Sequence, residues 1–413
     1  MRPVFFRPVF MRPLALVLLS GLLIAGAGTS AFWAAGPSSG PSDDGSLLPA
    51  SPSPAAERTK SKPAGADAIR LNEIQVLGTH NSYKAAMDTA LMQMLERENP
   101  EQARALDYAH PPLPEQLNAG LRSVELDVYY DPEGGRYADP HGLALGARQG
   151  APPGRPFDPE GVMEAPGFKV LHVQDIDFRS TCLTLQQCLR AVRTWSEARP
   201  NHVPIIITIN AKDDAIDRPG FTEPLPFDAA AFAALDEALR RGLGPERLLT
   251  PDAVRGAAPT LEAAVRAGGW PRLDAARGRV LVVLDESGET LERYRAGHPS
   301  LRGRAMFGNF EAGAPEAAFR IVNDPVGQGD TIRRLVRAGY MVRTRADANT
   351  VEARQGDTQR RAAAFASGAH VVTTDYYRPD PDFGTGYAVQ LPGGPPLRCN
   401  PVTAPPDCAD QIQ

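Results

Sequence analysis

Between Leu71 and Thr374 the chain alternates short strand-like runs with helix-like stretches, and that alternation leaves few folds open to it. Leu71 to Thr79 (LNEIQVLGT) reads as a strand that stops at Gly78. Leu121 to Tyr130 has a period of two, with Val124, Leu126 and Val128 on one face and Ser123, Glu125, Asp127 and Tyr129 on the other. Phe168 to Val173 predicts a third strand, and the runs 203 to 209, 279 to 284, 339 to 344 and 369 to 374 predict four more. Helical spacing falls between them. Leu185, Leu189, Val192 and Trp195 make one apolar stripe over 183 to 198, and the stretches 113 to 119, 229 to 243, 332 to 338 and 358 to 367 also read as helices. About eight strands alternating with helices predict a TIM-type (β/α)8 barrel of the α/β class, with a doubly wound open sheet as competitor. No GxGxxG follows the first strand, so a dinucleotide fold has little support.

The strands do not begin at once. Arg2, Arg7 and Arg12 precede a nearly continuous apolar stretch from Leu14 to Ala27, followed by small residues. That layout is a signal peptide, or an uncleaved anchor if the apolar stretch is run on to Ala35. Residues 37 to 67 are rich in Pro, Ser, Ala and Gly and read as a linker. The expected organisation is a leader or anchor over 1 to 36, the linker, and one catalytic barrel over 68 to 413. The expected location is export, secreted or held at the cell envelope. Cys182 with Cys188, and Cys399 with Cys408, lack zinc spacing; two short-loop disulfides suit an exported chain better than four thiols. A net charge of −5 argues against a nucleic-acid binder, although one chain-wide sum hides local fields, and no obligate protein partner is implied.

In a barrel, chemistry gathers where strands end. The first strand runs into His80, Asn81 and Ser82; the second carries Glu125 and Asp127; His172, Gln174, Asp175 and Asp177 follow the third; Asn210, Lys212, Asp213 and Asp214 follow the fourth. Two histidines can serve as base and acid in one turnover. Two carboxylates on one strand face need a cation between them, and hard oxygen donors suit Ca2+ or Mg2+. The combination is suited to metal-assisted cleavage of a phosphodiester. His110, His141, His202, His298 and His370 read as structural residues.

The segments LGTHNSY (77 to 83), VELDVYYDP (124 to 132), GFKVLHVQDIDFRSTCLTLQQCL (167 to 189) and RTRADANTVEARQGDTQRRAAAFASGAHVVTTDYY (343 to 377) together resemble the catalytic barrel of phosphoinositide-specific phospholipase C. The closer likeness is to its bacterial and fungal calcium-dependent branch. The resemblance implies a Ca2+-assisted cleavage of phosphatidylinositol-type lipids at a membrane surface, giving diacylglycerol and a cyclic inositol phosphate. It carries the catalytic pair onto His80 and His172 and the calcium ligands onto Asn81, Glu125 and Asp127. Where eukaryotic members have an acidic fourth ligand, this chain has Asn210, which implies weaker calcium binding or a substitute such as Asp213. Lys212, Arg345, Asp347, Asp375 and Tyr376 are the expected substrate contacts. Two other readings remain open at this point. One is a glycerophosphodiester phosphodiesterase, against which the His-Asn-Ser after the first strand argues. The other is a barrel that binds a headgroup without cleaving it.

Overall fold

The computed structural model describes residues 69–149 and 155–412. The expected leader or anchor and the linker lie outside the described residues. Ten strands form the sheet: β1 (Ile74–Thr79), β2 (Ser123–Asp131), β3 (Gly167–Val170), β4 (Ile205–Ala211), β5 (Val280–Leu284), β6 (Phe307–Gly308), β7 (Phe319–Ile321), β8 (Met341–Arg345), β9 (Val371–Thr374) and β10 (Arg398–Cys399). Eight of them follow the order β6-β5-β4-β2-β1-β9-β8-β7, with every ladder along that path parallel. This is the expected barrel, nearly closed. At the seam between β6 and β7 a side chain replaces a ladder bond: Asn309 Oδ1 accepts from the Ile321 amide at 2.9 Å.

The staves are apolar on the outside because helices cover them, and apolar or polar inside according to depth. Ile205, Ile207 and Ile209 of β4 and the whole of β5 are fully buried. Truncating any of these isoleucines to alanine costs about 3 kcal/mol. The helix Leu185–Glu197 shows how sequence sets such an element: Thr184 caps it, Gln187 reaches back to the Thr184 amide, and Leu185, Leu189, Val192 and Trp195 bury the predicted stripe. Both disulfides form as expected, Cys182–Cys188 and Cys399–Cys408. No helix among the described residues is long and apolar enough to cross a membrane.

One expected stave is not a stave. The run at 168 to 173 supplies β3, which pairs antiparallel with β2 (Val128 opposite Val170, Asp131 opposite Gly167) and lies off the barrel path. After Asp131 the chain runs through the short helix His141–Arg148 and comes back along β2 in the opposite direction, as the ladder register shows. The staves missing from the sequence reading are β6 and β7, two and three residues long.

Candidate active site

Gly78 lets β1 approach β2: a Cβ there would lie 2.4 Å from the Cβ of Ser123. The close approach lets Ser82 and Glu125 exchange hydrogen bonds, Ser82 N to Glu125 O at 3.0 Å and Glu125 N to Ser82 Oγ at 2.8 Å. The two strand ends are thereby locked together at the C-terminal mouth of the barrel. Just beyond β1, Asn81 takes a left-handed backbone (φ 44°), a conformation that non-glycine residues hold only where their surroundings enforce it. Its Nδ2 donates to Tyr108 Oη at 2.7 Å.

His80 stands between two carboxylates. Its Nδ1 is 3.1 Å from Asp375 Oδ1 and 3.3 Å from Tyr108 Oη, and its Nε2 is 3.7 Å from Glu125 Oε1. Asp375 also receives Arg345 Nη2 at 2.9 Å. Burial alone would raise the Asp375 pKa, but His80 and Arg345 outweigh it and hold the group well below the carboxylate range. An ionised Asp375 can only accept, so it takes the Nδ1 hydrogen and leaves Nε2 as the basic nitrogen. Burial, assisted by the Arg345 charge, lowers the His80 pKa and keeps the ring neutral near pH 7.

His172 follows β3, where the chain turns back on itself: Asp177 N donates to Val173 O at 3.0 Å and His172 N to Asp177 O at 3.2 Å. The turn puts Asp177 Oδ2 at 2.7 Å from His172 Nδ1. Each histidine thus has a buried aspartate on its Nδ1.

Glu125 and Asp127 point inward from alternate positions of β2, and Asn210 sits beside Asp127 on β4. Asn210 Nδ2 donates to Glu125 Oε1 at 3.2 Å and to Asp127 Oδ1 at 2.9 Å. The remaining carboxylate oxygens meet fixed cations. Arg343 Nη2 pairs with Glu125 Oε2, and Lys212 Nζ lies 3.5 Å from Asp127 Oδ2. Arg343 is itself fully buried, with Nη1 3.4 Å from Asp285 Oδ2 and 3.1 Å from Asn323 Oδ1. Burial would raise the Glu125 pKa; Arg343, His80 and Arg345 more than reverse it. Asp285, where burial wins over Arg343, is pushed up to about 6.

The polar groups are therefore contributed by the ends of β1, β2, β4, β5, β8 and β9 together with the turn after β3, all at one mouth of the barrel. Residues 69–401 match the family model for phosphoinositide phospholipase C, Ca2+-dependent. The chain belongs to this family. Members of the phosphoinositide phospholipase C family are calcium-dependent enzymes acting on inositol lipids. Among solved structures, the chain is similar to a calcium-dependent phosphoinositol-specific phospholipase C from a Pseudomonas species, with 17% identity over 80% of this chain and 96% of that one and a TM-score of 0.49. It is similar to a Ca2+-dependent phosphatidylinositol-specific phospholipase C from Streptomyces antibioticus, with 18% identity over 77% and 97% and a TM-score of 0.47. A phosphatidylinositol-specific phospholipase C from Listeria monocytogenes matches at 12% identity over 78% and 93%, TM-score 0.41. No curated protein matches the chain.

The calcium of this phospholipase family needs oxygen donors. No group of three or more His, Cys, Asp or Glu among the described residues is arranged to hold a metal. The expected ligand set is two carboxylates and two amides, and its chemistry fits: Glu125 Oε1 and Asp127 Oδ1 converge on one point, held by the Asn210 amide. Rotating that amide by half a turn brings its oxygen to the same point. Asn81, next to the Ser82 that is hydrogen-bonded to the Glu125 backbone, is buried. Asp213, the expected substitute, instead accepts from the Phe227 amide at 3.1 Å.

Two other expected substrate contacts, Asp347 and Tyr376, are engaged within the fold. Asp347 is fully buried; its Oδ1 accepts from the Asp375 amide at 2.9 Å and its Oδ2 from Thr374 Oγ1, so it props the end of β9. Burial and the Asp375 charge push it up to about 7. Tyr376 is buried against Tyr387 and Phe383, because the residue after an inward Asp375 faces outward from the barrel. Several residues at the site had no functional reading in the sequence. His110 Nε2 meets His80 O at 2.9 Å and lies 3.8 Å from Asp375 Oδ1. Tyr108, Lys84, Arg343 and Asp285 also surround the histidines and carboxylates. The one available signal was local: Asp177 stands five residues after His172, within reach of a tight turn.

Proposed function

We propose that this phospholipase cleaves phosphatidylinositol-type lipids to diacylglycerol and a cyclic inositol phosphate at a membrane surface, with His80 and His172 moving the protons. The observation that carries the reading is His80: its Nδ1 is committed to Asp375, its ring is kept neutral by burial, and its Nε2 is the basic nitrogen. His80 Nε2 takes the proton of the inositol 2-hydroxyl as that oxygen attacks phosphorus. The bond from phosphorus to the glycerol oxygen breaks, and His172, its Nδ1 on Asp177, delivers a proton through Nε2 to that oxygen. The five-membered cyclic phosphate and diacylglycerol result, and the two histidines have exchanged protonation states. Arg345 and Lys212 bring positive charge to the mouth, held in place by Asp375 and Asp127. Asn81, Glu125, Asp127 and Asn210 would hold the calcium ion, which supplies charge neutralisation at the phosphate. The Arg-led apolar N-terminus supports an exported chain, with residues 1 to 36 as leader or anchor and 37 to 67 as linker.

Phosphorus NMR of phosphatidylinositol vesicles incubated with the purified chain, with calcium and with a chelator, tests the reading. A cyclic phosphate resonance that disappears with chelator is expected. A linear phosphate as first product, or no turnover, would overturn it; turnover untouched by chelator would remove the calcium set alone.

A further inference from the structure

Lys84 lies four residues after His80 and is completely buried. A buried ammonium is costly unless each of its three hydrogens is met. Here they are met, and by groups that all lead to the histidines. Nζ donates to Leu106 O at 2.9 Å and to Tyr108 O at 2.8 Å, and forms an ion pair with Asp177 Oδ2 at 3.3 Å. It also stands 4.7 Å over the Tyr108 ring.

Follow the two branches outward. Asp177 Oδ2 is the oxygen that holds His172 Nδ1, so one carboxylate atom serves both the imidazole and the ammonium. The other oxygen, Oδ1, is buried and has no hydrogen-bond partner among the described residues. Without Lys84, Asp177 would be a buried anion facing a single imidazole. The second branch is the segment 106 to 110. Its Tyr108 places Oη 3.3 Å from His80 Nδ1 and accepts from Asn81 Nδ2, and its His110 meets the His80 carbonyl. The backbone closes the same circuit: His110 N donates to Lys84 O at 2.8 Å, and Lys84 bridges to Ser180, three residues past Asp177.

A buried ion pair of this kind is poor value for stability, since apolar residues of equal volume commonly do as well. Its placement gives it another use. We propose that Lys84 is a positioning residue for both halves of the reaction: it fixes the Asp177 carboxylate that orients His172, and it fixes the 106–110 segment that braces His80. The inference rests on the reading of His80 and His172 as the proton-transfer pair. The charged and titratable groups around His172 and Asp177 include Lys84 and Tyr83 from the segment after β1, Tyr108 from the segment 106 to 110, and Tyr129 from β2, whose Oη donates to the His172 carbonyl at 3.3 Å.

The test is steady-state cleavage of phosphatidylinositol vesicles by the full chain and by Lys84→Met, Asp177→Asn and the double variant, with thermal unfolding of each. Lys84→Met is expected to lower kcat by about 100-fold with KM within about threefold. The double variant is expected to be slower than Asp177→Asn, through the lost 106–110 branch, but by clearly less than the product of the two single losses, through the shared Asp177 branch. A kcat within about threefold of wild type, or losses that multiply in the double variant, would overturn the proposal. Lys84→Gln keeps amide donors for the two carbonyls and removes the charge, and serves where Lys84→Met does not fold. A spectroscopic measurement stands beside these. The Lys84 15Nζ resonance is expected to be protected from exchange and to shift in Asp177→Asn; a resonance indifferent to that substitution would also overturn the proposal. His172→Ala separates the two claims: full turnover there would sink the catalytic reading itself, whereas an inactive His172→Ala beside an unimpaired Lys84→Met would sink only the role of Lys84.

Discussion

One oxygen of Asp375 lies 3.1 Å from His80 Nδ1, while the other receives Arg345 at 2.9 Å. The two residues sit on strands at opposite ends of the fold's sequence, and only the pairing of β1 with β9 makes them neighbours. Asp375 fixes which nitrogen of His80 carries the hydrogen. Asp375→Asn offers the ring an amide that can turn either way. Its kcat on phosphatidylinositol vesicles is expected to fall by about 100-fold or more, with circular dichroism unchanged. Turnover near the wild-type rate in a folded variant would show that the tautomer of His80 does not matter to the reaction.

Asn210 bridges Glu125 and Asp127 without adding charge. Asn210→Asp adds a third carboxylate to the set. Calcium titrated by isothermal calorimetry is expected to bind about 10-fold tighter than to wild type, since ligand charge tunes affinity at oxygen sites. Unchanged or weaker binding would place the ion elsewhere.

Arg343 and Glu125 are a buried pair, with Asp285 and Asn323 completing the guanidinium's partners. Arg343→Met strands Glu125 without its strongest countercharge. In chelator, urea unfolding is expected to show a loss of about 3 kcal/mol. Added calcium is expected to recover part of that loss, because it binds the folded form alone. A variant as stable as wild type in chelator would mean that Glu125 is balanced by another group.

His370 is buried under the barrel with Nε2–H on Asn72 O at 2.8 Å and Nδ1 accepting from Val342 N at 3.0 Å. Burial lowers its pKa from 6.5 to about 4. Between those values the unfolded chain binds a proton that the folded chain refuses, so stability rises with pH across that window and is lost as pH falls through it. The full contribution is about 3 kcal/mol. Thermal melts from pH 7 to pH 4 are expected to fall less steeply for His370→Gln than for wild type. Parallel slopes would assign the acid sensitivity to other groups.

The barrel was legible because most of its staves are long apolar runs. Ile205, Ile207 and Ile209 need no context to announce a buried strand. β6 and β7 offer no such run, since two or three residues are too few to show a period. β3 has the pattern of a stave, and direction is not written in a strand's own residues: the return after Asp131 decides it. At the site, His80 and His172 follow recognisable strands, Asn210 is near the end of one, and Glu125 and Asp127 share the polar face of another, and strand ends are where a barrel keeps its chemistry. Lys84, Tyr108 and His110 lie in irregular chain, where polarity is the ordinary condition. Arg343 faces inward from a predicted strand, and nothing nearby in sequence hints at Glu125, its partner across the barrel.

The first stave made is also the one that must wait longest. β1 lies between β2 and β9, and its outer end pairs with β10, which the Cys399–Cys408 bridge secures. A ribosome delivers some 290 residues after β1 before its second neighbour exists, and the last bridge comes later still. Half of the β1 edge, and His80 with it, stays open throughout that interval. The cylinder therefore closes only once β9 has been made, and the reaction centre comes into being with the closure.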